Sequence, residues 1–366
     1  MKNIFRYRMV LLAGCCLWGS CKKMDEPYKQ FLVKGGKTYV GRAVAAIAHS
    51  GRNRVKISWL RGSDPAVTKA RIFWDNYTDS VEVEIPSGGD TVSAIIGDLP
   101  EKPYTFEVVT YDDMGHSSVP VELLTRAYGD SYQAGLLSRP VNQNTLFPGG
   151  THVFLEWGAS NISGGAYATD IVYTDTLGRE QTVRIPAGTD TSSMDIKPGT
   201  LFRHRTVYLP DSLSIDTFYT DLEQNTDYQL YKQDWRVIDS STAHPGADNI
   251  ASHIIDGNPG TRWHTWVDHS QYPHFVTVDM QRQEKINRFE VFRMTGDERA
   301  CNSFQLLVSR DNVSWTDLGV FSFNRLTDDG QFYEIPSQPE ARYFKFVGLS
   351  GPMTYMVMGE IGVYGF

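Results

Sequence analysis

NIASHIIDGNPGTRWHTW, residues 249–266, is the stretch on which the reading of the C-terminal third turns. Gly257, Pro259 and Gly260 crowd its middle, so it reads as a tight structured loop rather than a strand or helix. Asp256, Asn258 and Thr261 bring a carboxylate, an amide and a hydroxyl together in that loop. Such hard oxygens suit calcium, which takes about six to eight oxygen ligands, some of them backbone carbonyls. The same residues also suit a loop pinned by its own Asp and Thr hydrogen bonds. Working outward, YPHFVTVDM (272–280), INRFEVFRM (286–294), FQLLVS (304–309) and ARYFKFVG (341–348) are short alternating runs, and each predicts a strand. Ser309-Arg310-Asp311-Asn312 predicts a turn before Trp315, whose indole is expected in the core, as is Trp263.

In this order, with MGEIGVYGF (358–366) at the end, the landmarks of residues 230–366 resemble those of the discoidin family, also called the coagulation factor 5/8 type C family. The resemblance implies a β jelly roll with ligand loops at one end. It further implies a structural calcium ion held by Asp256, Asn258 and Thr261 and closed by Glu360 from the last strand. Glycan-binding relatives use a loop histidine, an arginine ending a middle strand and a nearby asparagine. Here those positions are His264, Arg293 and Asn302, with Arg299 between the last two, and the spacing from Arg293 to Asn302 is longer than the family pattern. Trp266 and Tyr355 are the expected stacking faces.

Upstream, RVKISWL, KARIFWD, DSVEVEIP, TVSAIIGDL and YTFEVVTYD alternate and are separated by turn residues, which predicts an antiparallel sandwich over 38–127. Trp59 and the corner Leu99-Pro-Glu-Lys-Pro-Tyr104 resemble features of fibronectin type III domains. IPSGGDT at 85–91 returns as IPAGTDT at 185–191, and Trp59 returns as Trp157, so residues 128–229 are read as a second sandwich of the same type. The fold class expected is therefore all-β: two fibronectin type III-like sandwiches followed by a discoidin-type jelly roll. Residues from Lys22 to about Asn225 resemble an uncharacterised module of surface lipoproteins in gut Bacteroidota.

The N-terminus supplies an address. MKNIFRYR is basic, MVLLAGCCLWGS is apolar but too short to span a bilayer, and Cys21 follows Gly19-Ser20. This resembles a bacterial lipoprotein signal (1–20) with Cys21 as the lipidated residue and 21–37 as a tether; Cys15 is the alternative. The expected location is the outer membrane, attached by lipid alone and facing outward. Of the four cysteines, only Cys301 then remains besides Cys21, so no intrachain disulfide and no cysteine zinc site is expected. A net charge of −8 argues against a nucleic-acid partner. His-Glu-x-x-His and Gly-x-Ser-x-Gly are absent, and no enzyme activity is expected. The function read from these features is capture of an oligosaccharide or polysaccharide by the jelly-roll loops within a polysaccharide-uptake system. The alternative is a protein–protein contact within an outer-membrane transporter complex.

Overall fold

A computed structural model describes residues 36–268 and 271–366. The signal peptide, Cys15, Cys21 and all but the end of the tether lie outside the described residues. The chain forms two compact units, divided between Tyr128 and Gly129.

The first unit holds β1 (Val44–Arg52), β2 (Val55–Leu60), β3 (Lys69–Trp74), β4 (Asp79–Glu84), β5 (Thr91–Ile96), β6 (Lys102–Tyr111) and β7 (Val121–Tyr128). Strands β1-β2-β5 form one layer and β4-β3-β6-β7 the other; a short parallel pairing of β1 with β7 joins their edges. The alternation of β2 decides its inner face: Val55, Ile57 and Trp59 are buried, while Lys56 and Ser58 are not. They pack with Ile72, Phe106 and Val108 from the facing layer, which makes this an apolar sandwich core. Tyr104 is buried and its hydroxyl donates to the Pro100 carbonyl at 3.1 Å, fixing the expected corner.

The second unit begins with the same plan. Its strands are β8 (Val141–Leu146), β9 (His152–Trp157), β10 (Ala166–Thr174), β11 (Glu180–Pro186), β12 (Thr191–Asp195), β13 (Arg203–Tyr208), β14 (Phe218–Tyr219) and β15 (Glu223–Gln224). The order β12-β9-β8 repeats β5-β2-β1, and β11-β10-β13-β14 repeats β4-β3-β6-β7. The Asp carbonyl of the repeated motif accepts from the neighbouring strand in both copies, from the Arg61 amide at Asp90 and from the Trp157 amide at Asp190, although the register relative to Trp59 and Trp157 differs by two residues. The strand order of the two sandwiches is thus the same.

The jelly roll contributes β16 (Tyr228–Leu230), β17 (Arg236–Ser240), β18 (Trp263–His264), β19 (His274–Phe292), β20 (Ser303–Ser309), β21 (Trp315–Ser322), β22 (Gln331–Glu334), β23 (Glu340–Ser350), β24 (Val357–Met358) and β25 (Glu360–Gly365). Strand β19 serves both layers. Its first part pairs with β17 and β23, its register breaks between Asp279 and Glu284, and its second part pairs with β25 and β22. Between the layers lie Trp263, Phe289, Phe304, Phe344 and Phe346, all fully buried.

Residues 128–229 and 230–366, read separately from sequence, share one unit. Strand β16 pairs in parallel with β8 and antiparallel with β25, so one sheet runs from the second sandwich into the roll. A single apolar cluster accordingly holds Trp157 and Phe202 together with Trp263 and Phe344. One core expectation is corrected. Trp315 is only half buried, because it lies on edge strand β21, and the Lys345 ammonium sits 4.9 Å from its ring centroid. Cys301 is buried as expected, and burial pushes its thiol up to about 12, far from a reactive thiolate.

Candidate functional site

Three loops build the site: the one after β18, the one between β19 and β20 (293–302), and the one before β24 (351–356). His264 ends β18, which pairs with β24 through His264 and Val357, so the two outer loops are held side by side. The Arg299 carbonyl accepts from the Val357 amide at 3.2 Å and ties the middle loop to them.

That pairing brings three of the expected residues into contact. The rings of His264 and Tyr355 are stacked, with centroids 5.1 Å apart and planes 12° from parallel. The Arg299 guanidinium lies 5.9 Å from the Tyr355 centroid and donates from Nη1 toward His264 Nε2 at 3.4 Å. It is held from behind by Asp297, with Nε to Oδ1 at 2.9 Å and Nη2 to Oδ2 at 2.5 Å. His264 Nδ1 is 2.7 Å from the Thr265 carbonyl, which only accepts, so Nδ1 carries the proton and Nε2 is the acceptor that meets Arg299. Burial lowers the His264 pKa, and the Arg299 charge adds to that against the pull of the Thr265 carbonyl. The ring is therefore neutral at pH 7. Burial works to raise the Asp297 carboxyl, but the Arg299 hydrogen bonds and charge outweigh it and hold the group below its ordinary range. Trp266, two residues beyond His264, is 36% exposed.

Arg293 and Asn302 fall in an adjoining network instead. Arg293 is buried; its Nε donates to Asp328 Oδ1 at 2.6 Å and its Nη1 to the Arg325 carbonyl at 2.9 Å. Asn302 Oδ1 accepts from Arg325 Nε at 3.2 Å, and Arg325 Nη1 donates to the Glu298 carbonyl at 2.9 Å. These two expected ligand contacts thus brace the 293–302 loop. Asp297, Arg325 and Asp328 carry no motif in the sequence; the polar run NRLTDDG (324–330) is the one local signal for the last two.

The loop of Asp256, Asn258 and Thr261 is closed on itself. Asp256 Oδ1 accepts from the Asn258 amide at 2.9 Å and Oδ2 from the Thr261 hydroxyl at 2.8 Å; Asn258 Oδ1 accepts from the Gly260 amide at 2.9 Å. Glu360 does reach this loop from β25, and only 3% of its side chain is exposed. Its Oε2 accepts from the Gly257 and Asn258 amides at 2.7 and 3.2 Å, and its Oε1 from Lys232 Nζ at 2.5 Å. Burial pushes the Glu360 carboxyl up to about 7, against the opposing pull of Lys232 and the Gly257 amide. These oxygens each accept a hydrogen bond within the protein, and the Lys232 ammonium already supplies the positive charge at Glu360, so the residues as arranged do not fit a calcium ion. Among the described residues, no group of three or more His, Cys, Asp or Glu side chains is placed to hold a metal.

The second unit also has a groove of about 880 Å³ away from the loop cluster, lined in part by Phe147, Gln229, Tyr231, His253 and Glu290.

Comparison with known proteins gives two family matches, the first of which spans the boundary between the two compact units. The DUF4998 family model, a domain of unknown function, matches residues 21–218, and the F5/8 type C domain model matches 237–361. A sialidase of Micromonospora viridifaciens is 30% identical over 127 residues, 32% of this chain; the chain spans only 19% of that enzyme's length. Among solved structures, the C-terminal domain of a chitobiase from Bacteroides fragilis is 28% identical, covering 38% of this chain and 97% of that one at a TM-score of 0.35. A family 32 CBM from Clostridium perfringens, solved with galactose, is 17% identical, covering 38% and 99% at a TM-score of 0.35. Because the first family model spans more than half of the sequence, the chain belongs to the DUF4998 family, and it carries an F5/8 type C domain at its C-terminal end.

Proposed function

We propose that this chain is a non-catalytic glycan-binding protein whose F5/8 type C domain holds an oligosaccharide on the face formed by Arg299 and Tyr355, with the buried His264 stacked on the tyrosine and Trp266 following two residues beyond the histidine. The observation that carries this reading is the stacked His264–Tyr355 pair with a carboxylate-held guanidinium beside it. Sugars have apolar ring faces and rows of hydroxyls. An aromatic face takes the first, and a fixed guanidinium–carboxylate fork donates to and accepts from the second. The arrangement has no nucleophile paired with a base, and the neutral, internally bonded His264 supplies positioning rather than proton transfer. Lipid attachment at Cys21, an outer-membrane location and a part in polysaccharide uptake belong to the same proposal and rest on the sequence.

The test is a glycan array probed with the chain and with Tyr355→Ala and Arg299→Ala. The expected result is a defined set of hits that both substitutions weaken. A blank array from folded protein would overturn the proposal.

A second reading has one observation in its favour. On the first sandwich Val44 and Leu60 are paired neighbours, and both, like Ile95, are exposed on the β1-β2-β5 layer. An apolar patch of this kind fits a protein partner, such as a transporter subunit. Recovery of one outer-membrane partner, lost on Leu60→Asp, together with a silent array, would favour it.

A further inference from the structure

The loop that the sequence marks for a metal already contains a cation. Lys232 lies in the short connection between β16 and β17, far from Glu360 in sequence. Its ammonium enters the space between loop 256–261 and β25, with Nζ 2.5 Å from Glu360 Oε1 and 3.4 Å from the Ile361 carbonyl. Only 15% of the Lys232 side chain is exposed. Gly257, beside the Lys232 stem, has φ of +86°, a backbone conformation that favours glycine and turns its amide toward Glu360.

We propose that the Lys232 ammonium takes the place of a calcium ion in this domain, so that loop 256–261 is locked to the last strand without any metal. A buried carboxylate requires a positive charge and hydrogen bonds together. Lysine supplies one charge and up to three donors from a compact head. The Gly257 and Asn258 amides satisfy the other carboxylate oxygen. A divalent ion brought to Glu360 would meet Lys232 as a like charge, and would have to displace hydrogen bonds already made by Asp256, Asn258 and Thr261. The lysine also adds a task that a loop-bound ion would not perform. Because it follows β16, it fastens the strand that carries the sheet from the second sandwich into the roll to the roll's own C-terminal strand.

The experiment is thermal unfolding of the whole chain, following the transition of the second unit, with excess chelator, with millimolar calcium, and in Lys232→Met. The expected result is no shift with chelator or calcium in the unaltered chain, and a fall of roughly 6 °C or more in Lys232→Met. Calorimetric titration of the unaltered chain with calcium is expected to give no binding heat, and it decides the question even if Lys232→Met fails to fold. A melting temperature lowered by chelator and restored by calcium would overturn the proposal, as would calcium binding to the unaltered chain or a Lys232→Met transition at the original temperature.

Discussion

Two carboxylate–cation pairs lie around the jelly-roll loops, and they differ in burial. Glu360 and Lys232 are 3% and 15% exposed, with the carboxylate oxygens occupied by the ammonium and two backbone amides. Asp297 and Arg299 are 11% and 36% exposed, and their guanidinium edge is shared with a stacked histidine and tyrosine. The first pair turns its hydrogen-bonding capacity inward and secures a strand. The second keeps part of it at the surface, next to aromatic faces. Burial is what separates the two pairs, and on the proposed function only the more exposed one is available to a ligand.

The contrast predicts unequal costs. Glu360→Ala leaves the Lys232 ammonium buried without its carboxylate and is expected to cost about 3–5 kcal/mol in denaturant unfolding of the second unit. Asp297→Ala, at a more exposed pair, is expected to cost only about 1 kcal/mol. Equal costs would remove the distinction. For binding the order reverses. Arg299→Ala is expected to weaken a captured glycan roughly tenfold or more, since a charge-assisted hydrogen bond is lost. Glu360→Gln, which keeps the shape of the buried group, is expected to leave affinity unchanged in isothermal titration.

The pH dependence sharpens the same point. The His264 pKa is depressed by burial and the neighbouring guanidinium, so the ring stays neutral as pH falls through the ordinary histidine value. Affinity is therefore expected to be flat from alkaline pH down through about 6.5 and to fall only below that, once Nε2 is protonated and repels Arg299. An NMR titration of the ring that gave an ordinary or raised value would contradict this. A comparably small effect on stability is expected of Trp315→Ala. The residue is half buried on an edge strand, so the loss is expected to be about 1 kcal/mol, with no change in binding.

The sequence made the strands legible because alternation has a local cause, and the order of landmarks from Ile250 to Phe366 reached the right architecture. It made the stack legible only in part. His264, Arg299 and Tyr355 were singled out, but their meeting depends on the β18–β24 pairing, which joins residues about ninety positions apart. The Lys232–Glu360 contact spans 128 positions, and a lysine in a polar connection carries no local sign of burial. Tryptophan favours cores, so the sequence alone points Trp315 inward; only the strand order reveals an edge. The sheet shared across residue 229 was hidden for the same reason, since β16 is three residues long and has no periodicity of its own.

The most direct measurement is isothermal titration of one array-selected oligosaccharide into the unaltered chain, Tyr355→Ala and Tyr231→Ala. Tyr231 lines the groove rather than the loop face, so the two tyrosines separate the two candidate surfaces. Binding to the Arg299–Tyr355 face predicts a clear loss of affinity in Tyr355→Ala and none in Tyr231→Ala. Full affinity in Tyr355→Ala with loss in Tyr231→Ala would move the site to the groove and contradict the assignment made from the stacked rings.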